Sequence, residues 1–544
     1  MRGKKPYITR IITFLSTVFF ALSTINAQSN SYMRYFTQFN VITSTGEYAP
    51  FMLTANRQGT SSVENNNGYL RYGLTFGTTI GKNRNLHLNT VADIIIGHNQ
   101  KADFFVQQLY ADISWKWLTF SVGSKERYGE MQYDIMQFSG SNLASNKANR
   151  YFGNMFSLQQ SMLGSGGLSY SGNSRPIPQI RVEIPHYIPF PWTNGWVEIR
   201  GHIAYGMFTD AGFQSSFSRN NLTTQYGKNL LYHSKAGFIK IGKAEKFPLI
   251  FEGGLEMYTQ FGGDIYTHKD GKIISMPRRA MDFWKAFIPL SGSDDTPTVE
   301  QTNISGNQMG SWHAAFTIPT KVADIRIFGE HFFEDFSQLF FFEYQSDRKG
   351  NRNIIYYPWR DIKLGIRVTN KSHHLPFISA IQYEYLSTED QSGALYHDPS
   401  ENFSEQMDGA DNYYNHGIYP GWHHWGMGIG NPLVFSPIYN TNGSLQFRGN
   451  RITAHTVGIN GTLEQSIPLS YRLMYTYSEN LGTYANPFNE KKYTTSLLAD
   501  ITIAPANSKW LGRISLAYDK SNIIGENTGI MFTLSRVGTI FDKK

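Results

Sequence analysis

Apolar and polar positions alternate along much of this chain. From Leu70 to Ile80 the sequence LRYGLTFGTTI places Leu, Tyr, Leu and Phe on one face and Arg, Gly and Thr on the other. Successive side chains of a β-strand point to opposite faces, so a period of two over about ten residues predicts a long strand with one apolar side. The alternation recurs in further stretches, which predicts an all-β protein: 109–123, 197–207, 381–385, 472–478 and 513–519.

The second face of these strands indicates the kind of β-protein. It has charged residues such as Arg71, Glu198 and Arg200 as well as glycine and threonine. A soluble sandwich buries its apolar face, whereas a transmembrane barrel turns that face to lipid and its charges into a wet lumen. We therefore predict an antiparallel β-barrel of the outer membrane with roughly 18 strands, an even number as in single-chain bacterial barrels. A secreted β-sandwich or solenoid is the alternative, although the sequence has no fixed-period repeat.

Residues 1–27 have the features of a secretory signal peptide. Basic residues precede the apolar run Ile11–Ser23, and Ala27 provides the small residue of a cleavage site. The run is shorter than the roughly 20 residues of a spanning helix. The segment has four basic residues and no acidic one, so more than half of the net charge of +7 belongs to it. Residues 28–544 are then predicted to form the barrel, without a basic stripe for nucleic acid.

Three long segments interrupt the strand pattern: 126–165, 267–307 and 388–450. The first has helix-like spacing from Phe152 to Met162, and the second contains the short helix candidate MDFWKAFIPL. Loops of this length in a compact fold are usually functional or disordered. We expect them to fill the lumen in part or to cover it as lids. The chain has no cysteine, so barrel and loops must hold together without disulfides.

No catalytic motif fits the chain. The stretch Gly77–Lys82 resembles a phosphate loop but has one residue too few between its glycines. A G-x-S-x-G elbow and an H-E-x-x-H zinc motif do not occur. Glu334 and Asp335 are adjacent, so on a strand their carboxylates would point to opposite faces. We predict a protein that is not an enzyme and has no cofactor.

The loop Tyr419–Leu433 holds two adjacent histidines between two tryptophans. Zinc needs three or four convergent ligands, and this loop has neither cysteine nor carboxylate. Aromatic rings can pack on the C–H-rich face of a pyranose, and amides and imidazoles can bond to its hydroxyls. We therefore predict an extracellular lid or mouth that contacts polysaccharide and not metal; the alternative is that the rings only pack against the barrel. The candidate residues are Tyr413, Tyr414, Trp422, His423, His424 and Trp425.

Two further candidates, Asn173 and Arg175, lie just before Pro176 and Pro178. Proline has no N–H to donate and is excluded from central strands, so these residues are expected to enter a strand from one rim. Arg175 is then expected to face the lumen or its mouth and to pair with an acid. The alternative is a plain turn in which Arg175 is exposed.

Six short stretches follow one another along the chain in an order and spacing that are more specific than any one of them. They are PFMLTANR from Pro50, GLSYSGNSRPIPQ from Gly167, GNQMG from Gly306, FED from Phe333, EDQSG from Glu389 and YYNHG from Tyr413. In this order they resemble the bacterial outer-membrane capsule-assembly family called Wzi. The resemblance implies an 18-stranded barrel that acts as a non-catalytic lectin and helps hold capsular polysaccharide on the cell surface.

The chain departs from that family in two places. The characterised form begins with a periplasmic helical bundle, whereas strand-like sequence begins early here, and Phe336–Gln338 replace an Asp-Glu-Ser-Gly-like run. The resemblance implies surface or capsular polysaccharide and outer-membrane lipid as partners of a monomer, with other capsule export components as further candidates. A diffusion porin or a barrel enzyme acting on lipid is the alternative function.

Overall fold

The structure is a computed structural model that describes residues 30–81, 85–129, 162–290, 297, 305–335, 342–346, 352–356, 360–372, 377–396, 407–463, 469–505 and 508–543. Within these residues, 18 antiparallel strands form one closed barrel. The predicted signal peptide and residues 152–161 of the predicted helix lie outside the described ranges.

The barrel strands are long because their alternating sequence lets one face meet lipid while the other faces the lumen. In chain order they are Ser31–Thr45 (β1), Asn67–Ile80 (β2), Leu86–His98 (β3), Phe104–Trp115 (β4), Leu118–Ser124 (β5), Gln179–Pro189 (β6), Val197–Met207 (β7), Leu231–Ile241 (β8), Ile250–Phe261 (β9), Asn307–Pro319 (β10), Ala323–Glu334 (β11), Ile362–Asn370 (β12), Ala380–Ser387 (β13), Ile452–Leu463 (β14), Leu469–Gly482 (β15), Pro487–Ile503 (β16), Trp510–Ser521 (β17) and Gly525–Lys543 (β18).

The barrel closes between its first and last strands. β1 pairs with β2 on one side and with β18 on the other, and the closing register runs from Ser31 opposite Lys543 to Thr45 opposite Thr528. Every strand therefore has two partners. A closed ladder of this kind satisfies the backbone N–H and C=O groups without water, as a membrane-spanning sheet requires.

The two faces of the wall differ as the sequence predicts. Ile113 and Ile381 are exposed on the outer face, while their neighbours Asp112 and Gln382 are buried towards the lumen. Together with the other exposed aliphatic and aromatic residues, they form the apolar belt of an outer-membrane barrel. The predicted fold class, including the strand number, is confirmed.

The connections differ in length at the two ends of the barrel. At the end where β1 begins and β18 finishes, strands are joined by short turns such as 116–117. At the opposite end, the connections include 125–178, 262–306 and 388–451. Outer-membrane barrels have short periplasmic turns and longer extracellular loops, so we assign the long connections to the extracellular side.

The long connections contain further regular structure. The helices Phe51–Thr54 (α1), Ala211–Phe217 (α2) and Ala280–Phe287 (α3) occur there, and α3 confirms the helix predicted in MDFWKAFIPL. Among the residues that the structure describes, no helix is long and apolar enough to cross a membrane. Short strands pair Gly263–Thr267 with Gln225–Lys228 and with Ile273–Met276, Phe342–Ser346 with Arg352–Tyr356, Ser392–Tyr396 with Met407–Ala410 and His423–His424 with Met427–Gly428, and a 3-10 turn spans Pro437–Tyr439.

Candidate functional site

Parts of three long connections fold back into the lumen. We call the described residues 48–63, 162–178 and 411–450 the lumen plug. Its apolar side chains share one hydrophobic core with wall residues around the circumference, from Ile42 of β1 to Met531 of β18. The plug also reaches deep into the barrel, because the carbonyl of Met162 accepts a bond of 3.1 Å from Arg472, near the periplasmic start of β15.

Carboxylates of the barrel wall hold the plug in place. Glu384 of β13 accepts the N–H and the hydroxyl of Ser165 at 2.7 and 2.8 Å. Glu330 of β11 accepts the N–H of Leu168 at 2.6 Å. Hydrogen bonds to an ionised carboxylate are shorter and stronger than neutral ones. The sequence suggests that these acidic residues face a wet lumen. In the structure they instead fix the buried lumen plug.

Tyr413 and Tyr414, two predicted sugar-binding residues, lie in the core of the plug. Tyr413 donates its hydroxyl to Asp361 at 2.9 Å, and Tyr414 donates its hydroxyl to the carbonyl of Leu168 at 2.5 Å. The N–H of Tyr414 donates to Glu334 at 2.5 Å. The bond to Glu334 joins the plug to the barrel wall. Both side chains are at most 2% exposed, so neither ring presents a face to a ligand.

Trp422, predicted to contact polysaccharide at an extracellular lid or mouth, is fully buried and lies near the extracellular ends of β8 and β9. Its Nε1–H donates to the carbonyl of Ser169 at 2.9 Å, and its ring stacks on Tyr232 of β8 with a centroid distance of 6.2 Å. Gly421 has a φ of +108°, which glycine adopts readily and which lets the chain turn inward here. The indole thus satisfies its polar group inside the core, where its large apolar surface is removed from water.

His423 and His424, predicted at the same lid or mouth, are also buried. His424 donates its Nδ1–H to the carbonyl of Arg175 at 2.9 Å, and its Nε2 accepts the N–H of Thr209 at 3.3 Å. Burial lowers the pKa of His423 to about 4, although Asp210, 3.9 Å from its Nδ1, opposes this shift. Both imidazoles are therefore neutral at pH 7.

Arg175 faces the lumen as predicted, but aromatic rings surround it where an acid was expected. Its guanidinium carbon lies 3.6 Å from the ring centroid of Phe105 and 4.6 Å from that of the half-buried Trp425. Its Nε donates to the carbonyl of Gly59 at 3.4 Å. Burial lowers the pKa of Arg175 to about 10, and the negative charge of Asp210 opposes the shift. Cation–π contacts of this kind are strongest where water is excluded.

Asn173 joins two other parts of the plug. Its amide donates to the carbonyl of Gly428 at 3.0 Å, and its side-chain oxygen accepts the N–H of Asn56 at 3.2 Å. β6 begins at Gln179, directly after Pro178, as predicted for a strand entered from one rim. The fold brings the eight candidate residues together, but they pack inside the plug. Their contact with sugar stays a prediction, and their burial argues against it.

Three potential metal ligands, Glu256, His313 and Glu330, lie within 4.8 Å of one another in the barrel wall. The surrounding protein already uses their atoms, since Lys363 lies 2.5 Å from Glu330 and Ser169 donates to Glu256 at 2.6 Å. His313 Nε2 lies 3.2 Å from the Glu256 carboxylate. A cation would have to displace an ammonium group and a plug contact. The cluster therefore fits a buried ion-pair network better than a metal site.

A polar cleft of about 760 Å³ lies at the extracellular end, between the connection that follows β7, the plug segment 411–450 and the β15–β16 turn. We call it the rim cleft. Its lining includes amides, hydroxyls and the guanidinium of Arg448, and no aspartate or glutamate is among the described residues that line it. Its exposed polar residues are Thr223, Asn412, Asn442, Gln446, Arg448 and Asn486.

Internal hydrogen bonds fix the shape of the rim cleft. The Asn415 amide accepts the N–H of Phe447 at 2.8 Å and donates to its carbonyl at 2.9 Å. Asn440 donates to the carbonyls of Ser444 and Gln446, both at 2.8 Å. These bonds hold the cleft wall in one conformation before a ligand arrives, which lowers the entropic cost of binding.

Sequence reasoning missed the rim cleft because its residues are far apart in the chain. Thr223 and Asn486 belong to connections that show no motif, and only the folded barrel brings them beside the segment 411–450. The available signal was the amide and glycine content of that segment. It indicates the connection but does not show which of its side chains line the cleft.

Comparison with known proteins gives distant likenesses in fold. No protein-family model matches the chain, and no curated protein matches it. Wzi of Escherichia coli, a carbohydrate-binding β-barrel involved in group 1 capsule assembly, is 12% identical, with 96% of this chain and 87% of that chain covered and a TM-score of 0.48. The Pseudomonas aeruginosa outer-membrane protein OprD is 7% identical, with 94% of each chain covered and a TM-score of 0.43. OccK5 of the same organism is 8% identical, with 94% of this chain and 99% of that chain covered and a TM-score of 0.44. At these identities the likeness concerns the outer-membrane barrel fold alone.

Proposed function

We propose that the protein is a plugged outer-membrane barrel that binds surface polysaccharide at the rim cleft and helps retain it on the cell. The observation that carries this proposal is the cleft itself, about 760 Å³ of mainly neutral polar surface at the extracellular end. Amides and hydroxyls both donate and accept hydrogen bonds, as sugar hydroxyls do. The protein binds without catalysing a reaction.

The charge of the rim cleft favours an acidic polysaccharide. Arg448 is exposed, and a guanidinium can bind a carboxylate through two parallel hydrogen bonds. The described lining has no acidic side chain that would repel such a polymer. Single contacts at an exposed site are weak, so retention of a long chain depends on many repeats that engage several barrels at once.

The lumen plug supports binding outside the barrel over diffusion through it. A porin has a water-filled lumen. Here Tyr413, Tyr414 and Trp422 lie in the plug and are at most 2% exposed, and wall carboxylates such as Glu330 fix it. A cargo held at the extracellular rim fits this arrangement better than a solute that crosses it.

The test is calorimetric titration of the detergent-purified protein with fragments of acidic and neutral capsular polysaccharides. The double variant Gln446→Ala, Asn486→Ala removes two exposed side-chain amides. The internal hydrogen bonds of both residues are made by their backbone atoms, so the substitutions keep these bonds. Two lost hydrogen bonds at about 0.5–1.5 kcal/mol each predict roughly ten-fold weaker binding.

A matched control is Thr441→Ala with Asn489→Ala, since both residues are exposed and lie outside the rim cleft. It should bind as the wild type does. Equal affinity of wild type and cleft variant would exclude the rim cleft as the site. Failure of the wild type to bind any of the capsular fragments would refute the proposed function itself.

A further inference from the structure

Helix α3 packs on the outer face of the barrel, the face that meets lipid. The hydroxyl of Tyr205 in β7 donates to the carbonyl of Phe283 at 2.9 Å, and the Phe283 ring lies edge-on to Phe261 of β9 at 5.3 Å. Tyr205 lies on the same face of β7 as Ile203 and Met207, which are exposed members of the apolar belt. The helix therefore lies against the wall from outside.

The helix explains why polar residues occur on that face near the extracellular rim. Lys235 of β8 lies on the same outer face as the exposed Ile239. Its ammonium donates to the carbonyls of Ala286 and Phe287 at the end of α3. A cation at a helix C-terminus is favourable because the free carbonyls there carry partial negative charge. His233, two residues away, is fully buried beside the ring of Phe287 at 5.9 Å. α3 thus covers a part of the wall that lipid could not solvate.

The two faces of α3 are arranged in the opposite sense to those of a helix at a water-exposed surface. Its polar residues Asp282 and Lys285 are buried against the protein. Met281, Trp284 and Ile288 follow one another at helical spacing on the opposite face and are 58%, 50% and 39% exposed. A surface helix in water turns its charged residues outward and its apolar stripe inward. The reversed order indicates an apolar medium outside α3.

The helix descends from the extracellular rim towards the membrane. Arg278, just before the first turn of α3, lies against Gly262 at the end of β9. The last carbonyls of α3 contact Lys235, which lies four residues after Leu231, the first residue of β8. The side chains of Arg278 and Arg279 are 43% and 61% exposed at the upper end, and each also lies near a carboxylate, that of Asp264 at 3.5 Å and that of Asp282 at 3.6 Å. Cationic groups therefore lie above the apolar face, as in helices that bind at a membrane interface.

We infer that α3 is a lipid anchor whose apolar face enters the outer leaflet and whose two arginines bind lipid phosphate groups. The occupant is the membrane lipid itself, because α3 packs against the face of β7 from which Ile203 and Met207 of the apolar belt project. The tryptophan fits the boundary between headgroup and acyl chain, where one end of an amphipathic ring is wet. The anchor would hold residues 262–290 of this extracellular connection down on the membrane beside the barrel.

The natural chain has no cysteine, so one nitroxide label can be placed at a time. Met281→Cys and Trp284→Cys report on α3, Leu516→Cys on the apolar belt and Thr223→Cys on the rim cleft. The labelled proteins are reconstituted in phosphatidylcholine vesicles with and without phosphatidylglycerol. Collisions with oxygen, which concentrates in lipid, are compared with collisions with a water-soluble nickel chelate.

The labels at 281 and 284 should behave like the label at 516, with oxygen collisions several-fold more frequent relative to nickel than at 223. Labels at 281 and 284 that match the one at 223 would overturn the inference. Arg278→Gln with Arg279→Gln should abolish any deeper insertion that phosphatidylglycerol causes. If the deeper insertion is unchanged in this variant, or if phosphatidylglycerol causes none in the parent, the assignment of the arginines to lipid phosphate is wrong.

Discussion

The carboxylate of Glu330 in the barrel wall accepts the backbone N–H of Leu168 in the lumen plug at 2.6 Å. The same carboxylate lies 2.5 Å from the ammonium of Lys363 on the next strand, and both charged groups are buried. Lys363 in turn donates to the carbonyl of Gly166 at 2.7 Å. One ion pair of the wall therefore provides both the acceptor and the donor that fix the plug backbone.

Glu330→Gln should destabilise the folded barrel by about 3 kcal/mol, since removing one charge of a buried pair leaves the other uncompensated. The free energy of unfolding is measured by urea titration of the protein in lipid vesicles. The double variant Glu330→Gln, Lys363→Met has no unpaired charge at this position and should recover part of the loss. A single variant as stable as the wild type would show that the pair does not hold the plug.

Trp422→Ala should lower the free energy of unfolding by about 3–5 kcal/mol, the usual range for removal of a large buried aromatic ring. The matched control is Trp192→Ala, because Trp192 is 94% exposed and its loss should change stability by less than about 0.5 kcal/mol. Unchanged stability of Trp422→Ala together with weaker polysaccharide binding would instead restore the ring to a sugar-binding role.

Stability should fall as the pH is lowered below about 6.5. The pKa of buried His423 is about 4, against about 6.5 in an unfolded chain, so between these values the unfolded state binds more protons. The contribution of His423 is complete above pH 6.5 and is lost progressively as the pH falls towards 4. At pH 5 the loss from this one group is about 2 kcal/mol.

The measurement is the urea midpoint at pH 7.5 and at pH 5.0, for the wild type and for His423→Gln. The variant starts from a different stability, so the difference between the two pH values is the informative quantity. It should be smaller in the variant by the contribution of one histidine. An equal difference in both proteins would mean that His423 is protonated in the folded state or titrates in solvent.

Period-two alternation predicts the strands whose two faces differ most. β2 and β7 were identified because lipid takes residues such as Leu74 and Ile203, while the lumen takes Arg71 and His202. β1 was missed, because Phe36 and Ile42 on its lumen face are apolar and pack against the interior, whereas Thr37 and Thr43 lie on its outer face. The plug therefore removes the contrast between the two faces that the sequence pattern depends on.

The candidate site could be predicted only in part, because composition does not show which side of a loop is buried. Trp422 and His424 have the residue types of a sugar-binding surface, and those same types also satisfy a buried core when backbone carbonyls lie nearby. The partners, Ser169 and Arg175, are about 250 residues earlier in the chain. Their contact follows from closure of the barrel around the plug and has no local signal.

Single-channel recording in planar lipid bilayers distinguishes a plugged binding barrel from a diffusion porin, because the two differ in conductance. Wild-type protein inserted in the bilayer should show no steady open state, whereas Glu330→Gln with Glu384→Gln, which weakens two wall contacts of the plug, should show brief openings. A constant, ohmic open conductance in every wild-type insertion event would show that the lumen is open and that the protein is a porin.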